Sequence, residues 1–380
     1  MAGWQGELNG FATVARGLES LAAQELEQLD IQGVEPGFCG VNFRASLADL
    51  YRLNLWARLP FRVLVQIGRF PCHDADDLYR GIQQIDWEPY LTPEQTLAVR
   101  ATGKTRQLNH THFTALQVKN AIVDQQRDRT GERSSVDTQF PDVGVNVHLG
   151  KTHAVVSLDS SGSSLHRRGY RPAVGAAPLK ESLAAALIYL SDWHPELAFF
   201  DPLCGSGTLP IEAGLQSLNI APGQFRERFG FETWPSFDPA LWQRLQAAAT
   251  AAQKSELSAP ILGSDLDPEV VQQAQQNAKS SGLGERLLFA QRDLAEVEPP
   301  TDTGVILCNP PYGERLGESK ELSRLYKLLG DVLKQRFKGW TAYVLSGNKS
   351  LAKYIGLKSA KRFPVYNGSL PCQLMKYELY

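Results

Sequence analysis

A chain of 380 residues, 43% of them apolar, exceeds one ordinary domain and carries enough apolar side chains for two or three cores. Thirty-nine basic against 41 acidic residues give a net charge of -2, so any hold on a polyanion has to come from local patches. Five scattered cysteines (Cys39, Cys72, Cys204, Cys308 and Cys372) form no C-x-x-C pair and have no histidine at ligand spacing, so neither a disulfide framework nor a metal site is expected.

The first ten residues contain no basic cluster followed by an apolar run, and no apolar stretch is long enough to span lipid, so a soluble cytoplasmic protein without membrane segments is expected. Residues 11–14 read as a strand and residues 17–29 as a helix, with Leu18, Leu21, Leu26 and Leu29 at helical spacing. A returning strand at 41–43, a helix over 47–56 and a β-branched strand at 61–67 complete a small α+β module over residues 1–65. A second alternation fills residues 66–165: helix 76–84, strand 96–102, helix 114–127, and strands 143–149 and 153–159. The polar run from Ser160 to Ser164 reads as a flexible connector. From Lys180 onward the order is helix (181–190), strand ending at Asp201, glycine turn, helix, strand 261–265, helix 268–281, and strands 287–292 and 305–308. Such alternation predicts an α/β, doubly wound and mostly parallel sheet within residues 166–380. A strand at 340–345 and a hairpin turning at Asn367-Gly368 add an antiparallel end.

The carboxyl edge of that sheet gathers the chemistry. After Asp201, the run Cys204-Gly205-Ser206-Gly207-Thr208 is a glycine turn between strand and helix that lets backbone approach a ligand, or else a tight structural turn. A dinucleotide fingerprint would need a third glycine where Pro210 stands. One βα unit later come Asp265 and Leu266; Asp267 serves as the helix cap and Pro268 as the first helical residue, which leaves Asp265 to accept hydrogen bonds from ribose hydroxyls. Asp293, after the third strand, can take a hydrogen bond from an adenine amine or stand as a solvated carboxylate. Together these positions describe an adenosine pocket without a phosphate cradle.

The fourth strand delivers Asn309, Pro310, Pro311 and Tyr312 to the same edge. Two prolines remove backbone donors and stiffen the chain, so the Asn309 amide oxygen and the Pro310 carbonyl can serve as paired acceptors for an NH2 group. An exocyclic base amine is a poor nucleophile, and two such bonds stabilise the charge that builds on it during attack on a sulfonium methyl. Tyr312 supplies a face for base stacking; the plainer alternative is a rigid loop with a surface tyrosine.

Through Asp201 to Thr208, Gly263-Ser-Asp265 and Asn309 to Tyr312, residues 180–380 resemble the Rossmann-like class I S-adenosylmethionine-dependent methyltransferases. His166 to Arg171, Ala177 to Glu181, Gly230 to Trp234, Asn309 to Arg315 and Ser346 to Asn348 resemble the THUMP-containing RNA methyltransferases, particularly bacterial enzymes that make N2-methylguanosine in 23S ribosomal RNA. The resemblance implies a ferredoxin-like module (1–65), a THUMP RNA-binding domain (66–165) and a methyltransferase domain (166–380). It also implies S-adenosyl-L-methionine held by Asp201, Cys204, Gly205, Ser206, Gly207, Thr208, Asp265, Leu266, Asp293 and Asn309. RNA, large-subunit ribosomal RNA above all, is the implied partner. Guanine in transfer RNA, adenine, a protein glutamine, or a silent RNA-binding assembly factor are the alternatives.

Basic residues cluster in two places. Arg100, Lys104, Arg106, Lys119 and Arg127 lie in a locally basic stretch that can neutralise phosphates or form a solvated helix face. Gly103-Lys-Thr105 lacks the preceding glycine of a P-loop, since position 98 is Ala98. Arg167, Arg168, Tyr170 and Arg171 stand just before the catalytic domain, where they can steer an RNA strand or pack between domains.

Overall fold

A computed structural model describes residues 6–171, 179–313 and 319–380, excluding the Ser319 side chain. Pro178 and Ala177, and Glu314 and Arg315, which carry part of the motif resemblance, lie outside the described residues. Contacts divide the chain into two compact units: Met1–Val14, Ala22–Leu165 and Arg226–Gln246 form the first, and Ala15–Leu21, His166–Phe225 and Ala247–Tyr380 the second.

The first unit contains β1 (Leu8–Thr13), most of α1 (Glu19–Gln28), β2 (Gln32–Gly37), β3 (Gly40–Ala45), α2 (Leu47–Trp56), β4 (Arg62–Pro71), α3 (Ala75–Gln83), β5 (Thr96–Gly103), α4 (Thr111–Thr130), β6 (Ser135–Val136), β7 (Val143–Leu149) and β8 (His153–Asp159). Helix α2 starts where the sequence places it because Ser46 and Asp49 form a reciprocal capping box, Ser46 Oγ accepting from the Asp49 amide at 3.2 Å. All eight strands share one sheet in the order β2-β3-β1-β4-β8-β7-β5-β6. Antiparallel pairing of β4 with β8, from Leu64 opposite Asp159 to Pro71 opposite His153, joins the two expected modules edge to edge.

The serine run 160–164 is not the flexible connector that its composition suggests. Ser160 and Ser161 are fully buried. Ser160 Oγ donates to the Val63 carbonyl, Ser161 Oγ accepts from the Val63 amide, and both hydroxyls bond the buried Asn54 amide at 2.8 Å. Composition counts these serines as polar, but their hydroxyls satisfy backbone groups at the start of β4.

The motif Gly230 to Trp234 also departs from expectation. It belongs to the methyltransferase half of the sequence, yet residues 226–246 fold into the first unit. Phe231 stacks on Tyr51 with ring centroids 4.2 Å apart, and Trp242 meets the Phe231 ring edge-on at 5.1 Å.

The second unit contains α5 (Glu181–Leu190), β9 (Ala198–Asp201), α6 (Thr208–Ser217), the end of α7 (Pro239–Ala251), β10 (Ile261–Asp265), α8 (Pro268–Ser280), β11 (Leu288–Gln291), β12 (Gly304–Cys308), α9 (Ser319–Arg336), β13 (Thr341–Ser346), α10 (Lys349–Ala352), β14 (Lys361–Asn367) and β15 (Leu370–Glu378). Its seven strands run β11-β10-β9-β12-β13-β15-β14, the first five parallel and the last two antiparallel additions. Phe200, Phe337, Trp340 and Tyr326 anchor the core on one face. Asn367 pairs with Leu370, so the hairpin turns on Gly368-Ser369, one residue later than expected, with Gly368 at φ 63°. Among the described residues no helix is long and apolar enough to cross a membrane.

Candidate active site

Sheet order reverses between β9 and β12, which are neighbours although β10 and β11 intervene in sequence; such a switch point leaves a crevice at the carboxyl ends of the strands. The three acidic residues expected around the cofactor, and Asn309 with them, sit on that edge. Asp201 ends β9, Asp265 ends β10, Asp293 follows β11 and Asn309 follows β12.

The glycine turn is held from behind. Its Gly205 amide donates to Asp265 Oδ2 at 2.9 Å, and the Cys204 amide to the Ser264 carbonyl at 2.9 Å. The buried Asn277 of α8 donates from Nδ2 to the Ser206 carbonyl at 3.0 Å. Gly205 and Gly207 take φ of 51° and 81°, where a side chain is strained. A Cβ on Gly207 would stand 2.9 Å from the Ala274 methyl and 3.0 Å from Phe289, whereas one on Gly205 would meet nothing within 4 Å. The inner glycine allows close packing of α6 on α8; the outer one keeps the mouth of the turn open.

Several expected ligand groups take supporting positions. Asp201 is buried beneath the turn, accepts the Leu203 amide at 3.1 Å, and is pushed well above the usual carboxylate range by burial and by the Asp265 charge. Cys204 is buried, and its thiol is likewise pushed up by burial and by the Asp201 charge. Thr208 is buried and its hydroxyl accepts from Arg171 at 2.5 Å. Asp265 is not free of other duties, since its second oxygen accepts the Asp267 amide at 3.2 Å, but each carboxylate oxygen retains a further lone pair. Leu266 is 64% exposed beside it, and the exposed Asp293 caps a short turn through Ala295 at 2.8 Å.

Asn309 lies at the centre of the edge, half-buried as a residue, but its Oδ1 atom is buried and accepts no hydrogen bond among the described residues. A buried acceptor without a donor costs on the order of 1 to 3 kcal/mol, so its retention points to a donor brought by a ligand. Pro310 is buried and Pro311 exposed. Tyr312 is half-buried, its hydroxyl accepting from Asn367 Nδ2 at 2.7 Å, which pins the ring beside the Asn309 loop. Sequence reasoning misses both Asn277 and Asn367 as site residues; an asparagine among the buried positions of α8 is the one signal that could reveal Asn277.

The basic residues divide sharply. Arg100, Lys104, Arg106, Arg127 and Arg167 are exposed; Arg127 pairs with Asp124 at 3.4 Å, and the half-buried Lys119 donates to Asn120 at 2.5 Å. Arg168 and Tyr170 are buried, which corrects their assignment as RNA contacts. Arg168 Nε lies 3.4 Å from Glu212 Oε1, the Tyr170 hydroxyl 3.3 Å from the same oxygen, and Arg171 3.5 Å from the buried Glu181. Their charge is spent inside the fold, against the helix that follows the glycine turn.

A parallel sheet of this order, with a glycine turn after its first strand and an acidic end on its second, defines a Rossmann-like class I S-adenosylmethionine-dependent methyltransferase. Comparison with known families matches residues 168–376 to the RMKL-like methyltransferase domain, residues 72–159 to the THUMP domain and residues 9–64 to the RlmL ferredoxin-like domain. The chain belongs to this RMKL-like methyltransferase family. It is 57% identical to slr0064 of Synechocystis sp., a candidate RNA methyltransferase by its name, over 97% of this chain and 96% of that protein. It is 42% identical to the ribosomal RNA large subunit methyltransferase K/L of Pseudomonas aeruginosa over 97% of this chain and 52% of that protein, so it spans about half the length of the K/L relatives. The crystal structure of SMU.472 complexed with SAH is 32% identical and superposes with a TM-score of 0.88 over 100% of this chain and 99% of that one.

Proposed function

We propose that this chain methylates the exocyclic amine of a guanine in 23S ribosomal RNA, forming N2-methylguanosine in the cytoplasm. In this reading residues 1–65 and 66–165 hold RNA, with Arg100, Lys104, Arg106, Lys119 and Arg127 toward its phosphates, and residues 166–380 carry the chemistry, with Arg167 at their start assisting the hold on RNA. The observation that carries the proposal is the buried Asn309 oxygen that accepts no hydrogen bond among the described residues. The RNA itself is supported by the THUMP match and by the names of the relatives.

The residues present fit S-adenosylmethionine, because the open face of Gly205 admits a ligand against the backbone and Asp265 beside Leu266 can hold a ribose next to an apolar wall. When bound, the cofactor supplies an electrophilic methyl on a sulfonium. Asn309 Oδ1 and the Pro310 carbonyl accept the two N–H bonds of the amine, and Tyr312 holds the base face. As the amine attacks, positive charge grows on its nitrogen and both hydrogen bonds strengthen, so their contribution falls mainly on the transition state. No strong base is required, since the proton becomes acidic once the nitrogen is charged and then passes to solvent water.

Single-turnover methylation of ribosomal RNA, read by mass spectrometry of its nucleosides, tests this. Asn309→Ala should slow transfer by about 2 to 4 kcal/mol in transition-state stabilisation, with SAM and RNA affinities nearly unchanged. Asn309→Asp, which keeps the acceptor, should retain more activity. An alanine variant at the wild-type rate would leave Asn309 a structural cap on β12.

A further inference from the structure

Two of the points where the chain passes between the units fall at Leu165/His166 and at Phe225/Arg226. Arg226 joins the runs on the first unit's side of both. Its Nη1 donates to the Ser164 carbonyl at 3.1 Å, and its Nη2 to the carbonyls of Ser161 (3.0 Å) and Ser163 (2.9 Å) and to Ser163 Oγ (2.8 Å). The guanidinium carbon also lies 5.0 Å from the Phe229 ring centroid. A planar fork can serve several acceptors on one turn of backbone at fixed angles, which a lysine ammonium cannot.

The rest of the inserted segment is fastened independently. Thr233 Oγ1 donates to the Asp142 carbonyl at 2.5 Å, Gln95 Nε2 to the Thr233 carbonyl at 2.6 Å, and the Asp238 amide to the Tyr51 hydroxyl at 3.0 Å, beside the aromatic cluster around Phe231 and Trp242. Removing the Arg226 head group therefore leaves these fastenings of the segment in place while it unties residues 161–164 from the segment's start.

We propose that Arg226 is a positioning residue: by tying residues 161–164 to the start of the inserted segment, it couples RNA held by the first unit to methyl transfer at Asn309. This rests on the reading of the site as an RNA methyltransferase. Transfer is sensitive to small displacements of the reacting groups, so slack in these runs should cost rate at saturation while leaving each binding step intact.

The test uses the full chain with Arg226→Met, which keeps an unbranched apolar stem and removes every donor together with the cation over Phe229, and Arg226→Lys. Probes are protein-free 23S ribosomal RNA and a short stem–loop carrying the same target base. Arg226→Met should lower the single-turnover rate on 23S RNA about 10- to 100-fold, on the scale that small misplacement produces, with SAH and RNA dissociation constants within about twofold of wild type. The lysine variant should fall between, and the stem–loop, which lacks the rest of the RNA that the first unit would hold, should be methylated as fast as by the wild-type chain. An RNA affinity that falls in step with the rate would make Arg226 an RNA contact. Equal slowing of both RNAs with a lowered melting temperature would make it purely structural, and an unchanged rate would remove its role; each overturns the proposal. If Arg226→Met does not fold, the lysine variant decides by the same criteria. Failure of the wild-type chain to methylate any RNA would instead sink the RNA reading itself.

Discussion

The two glycines of the turn offer a matched pair of perturbations with opposite expected outcomes. Both stand at positive φ, 51° at Gly205 and 81° at Gly207, so either alanine incurs about 1 to 2 kcal/mol of backbone strain. Alanine also restricts the unfolded chain, which returns about 0.4 to 1 kcal/mol in each case. The methyl at Gly207 would press on Ala274 at 2.9 Å and on Phe289 at 3.0 Å, and overpacking of that kind adds about 1 to 3 kcal/mol. Gly207→Ala should therefore destabilise the chain by about 1 to 5 kcal/mol, whereas Gly205→Ala, whose methyl meets open space, should lose no more than about 1.6 kcal/mol. Binding should rank the other way, because the Gly205 methyl projects from the face proposed to admit the cofactor. Urea unfolding measures the first quantity and calorimetry with SAH the second; a tenfold loss of affinity in Gly205→Ala corresponds to about 1.4 kcal/mol. Normal SAH binding by Gly205→Ala would refute the assignment of the open face, and equal destabilisation by both would refute the packing account.

Two further outcomes are expected. Asp265→Ala should weaken SAH binding by about 1 to 3 kcal/mol, from lost ribose bonds and a loosened Gly205 amide; unchanged affinity in calorimetry would remove the ribose assignment. His166 is held down at about 4 by burial and by the charges of Lys180, Arg167, Arg168 and Arg171, so between pH 6.5 and 4 the unfolded chain takes up a proton that the folded chain refuses. Stability from this group is complete above pH 6.5 and is lost as pH falls toward 4; His166→Gln should flatten that part of the urea-midpoint curve, and an unchanged slope would contradict the placement.

Much of this architecture was legible because its elements carry local signals. The Ser46 and Asp49 capping box sets the start of α2, and Asp267 with Pro268 starts α8 and so brings Asp265 to the strand end. Strand β2 was missed because Gln32–Gly37 contains Gly33, Pro36 and no buried residue, and so shows no alternation. Residues 226–246 were read with the catalytic domain because proximity in sequence is the only domain signal a single chain offers, whereas their aromatic rings find partners around Tyr51, more than 170 positions away. Similarly, nothing in their spacing separates the exposed Arg167 from the buried Arg168, because helical or strand periodicity does not extend through an irregular segment.

That buried cluster shows how the site can be both open and rigid. A turn whose outer face must admit a ligand cannot be braced from that face, so its support has to come from beneath or behind. Asn277 holds the Ser206 carbonyl, Asp265 holds the Gly205 amide, and Arg171 holds the Thr208 hydroxyl at the first residue of α6. One turn further along that helix, Glu212 meets Arg168 and Tyr170 in the interior, with side chains of the ion pair 1% and 0% exposed. Burial of such a pair rarely stabilises more than an apolar pair would, yet removal of one partner leaves the other charge stranded, so the arrangement tolerates few alternatives. Its effect is to fix where α6 begins, and thereby where Gly205 and Gly207 stand. The basic motif before the catalytic domain thus bears on the glycine turn through the position of a helix, with Arg168 and Tyr170 turned into the interior rather than toward solvent.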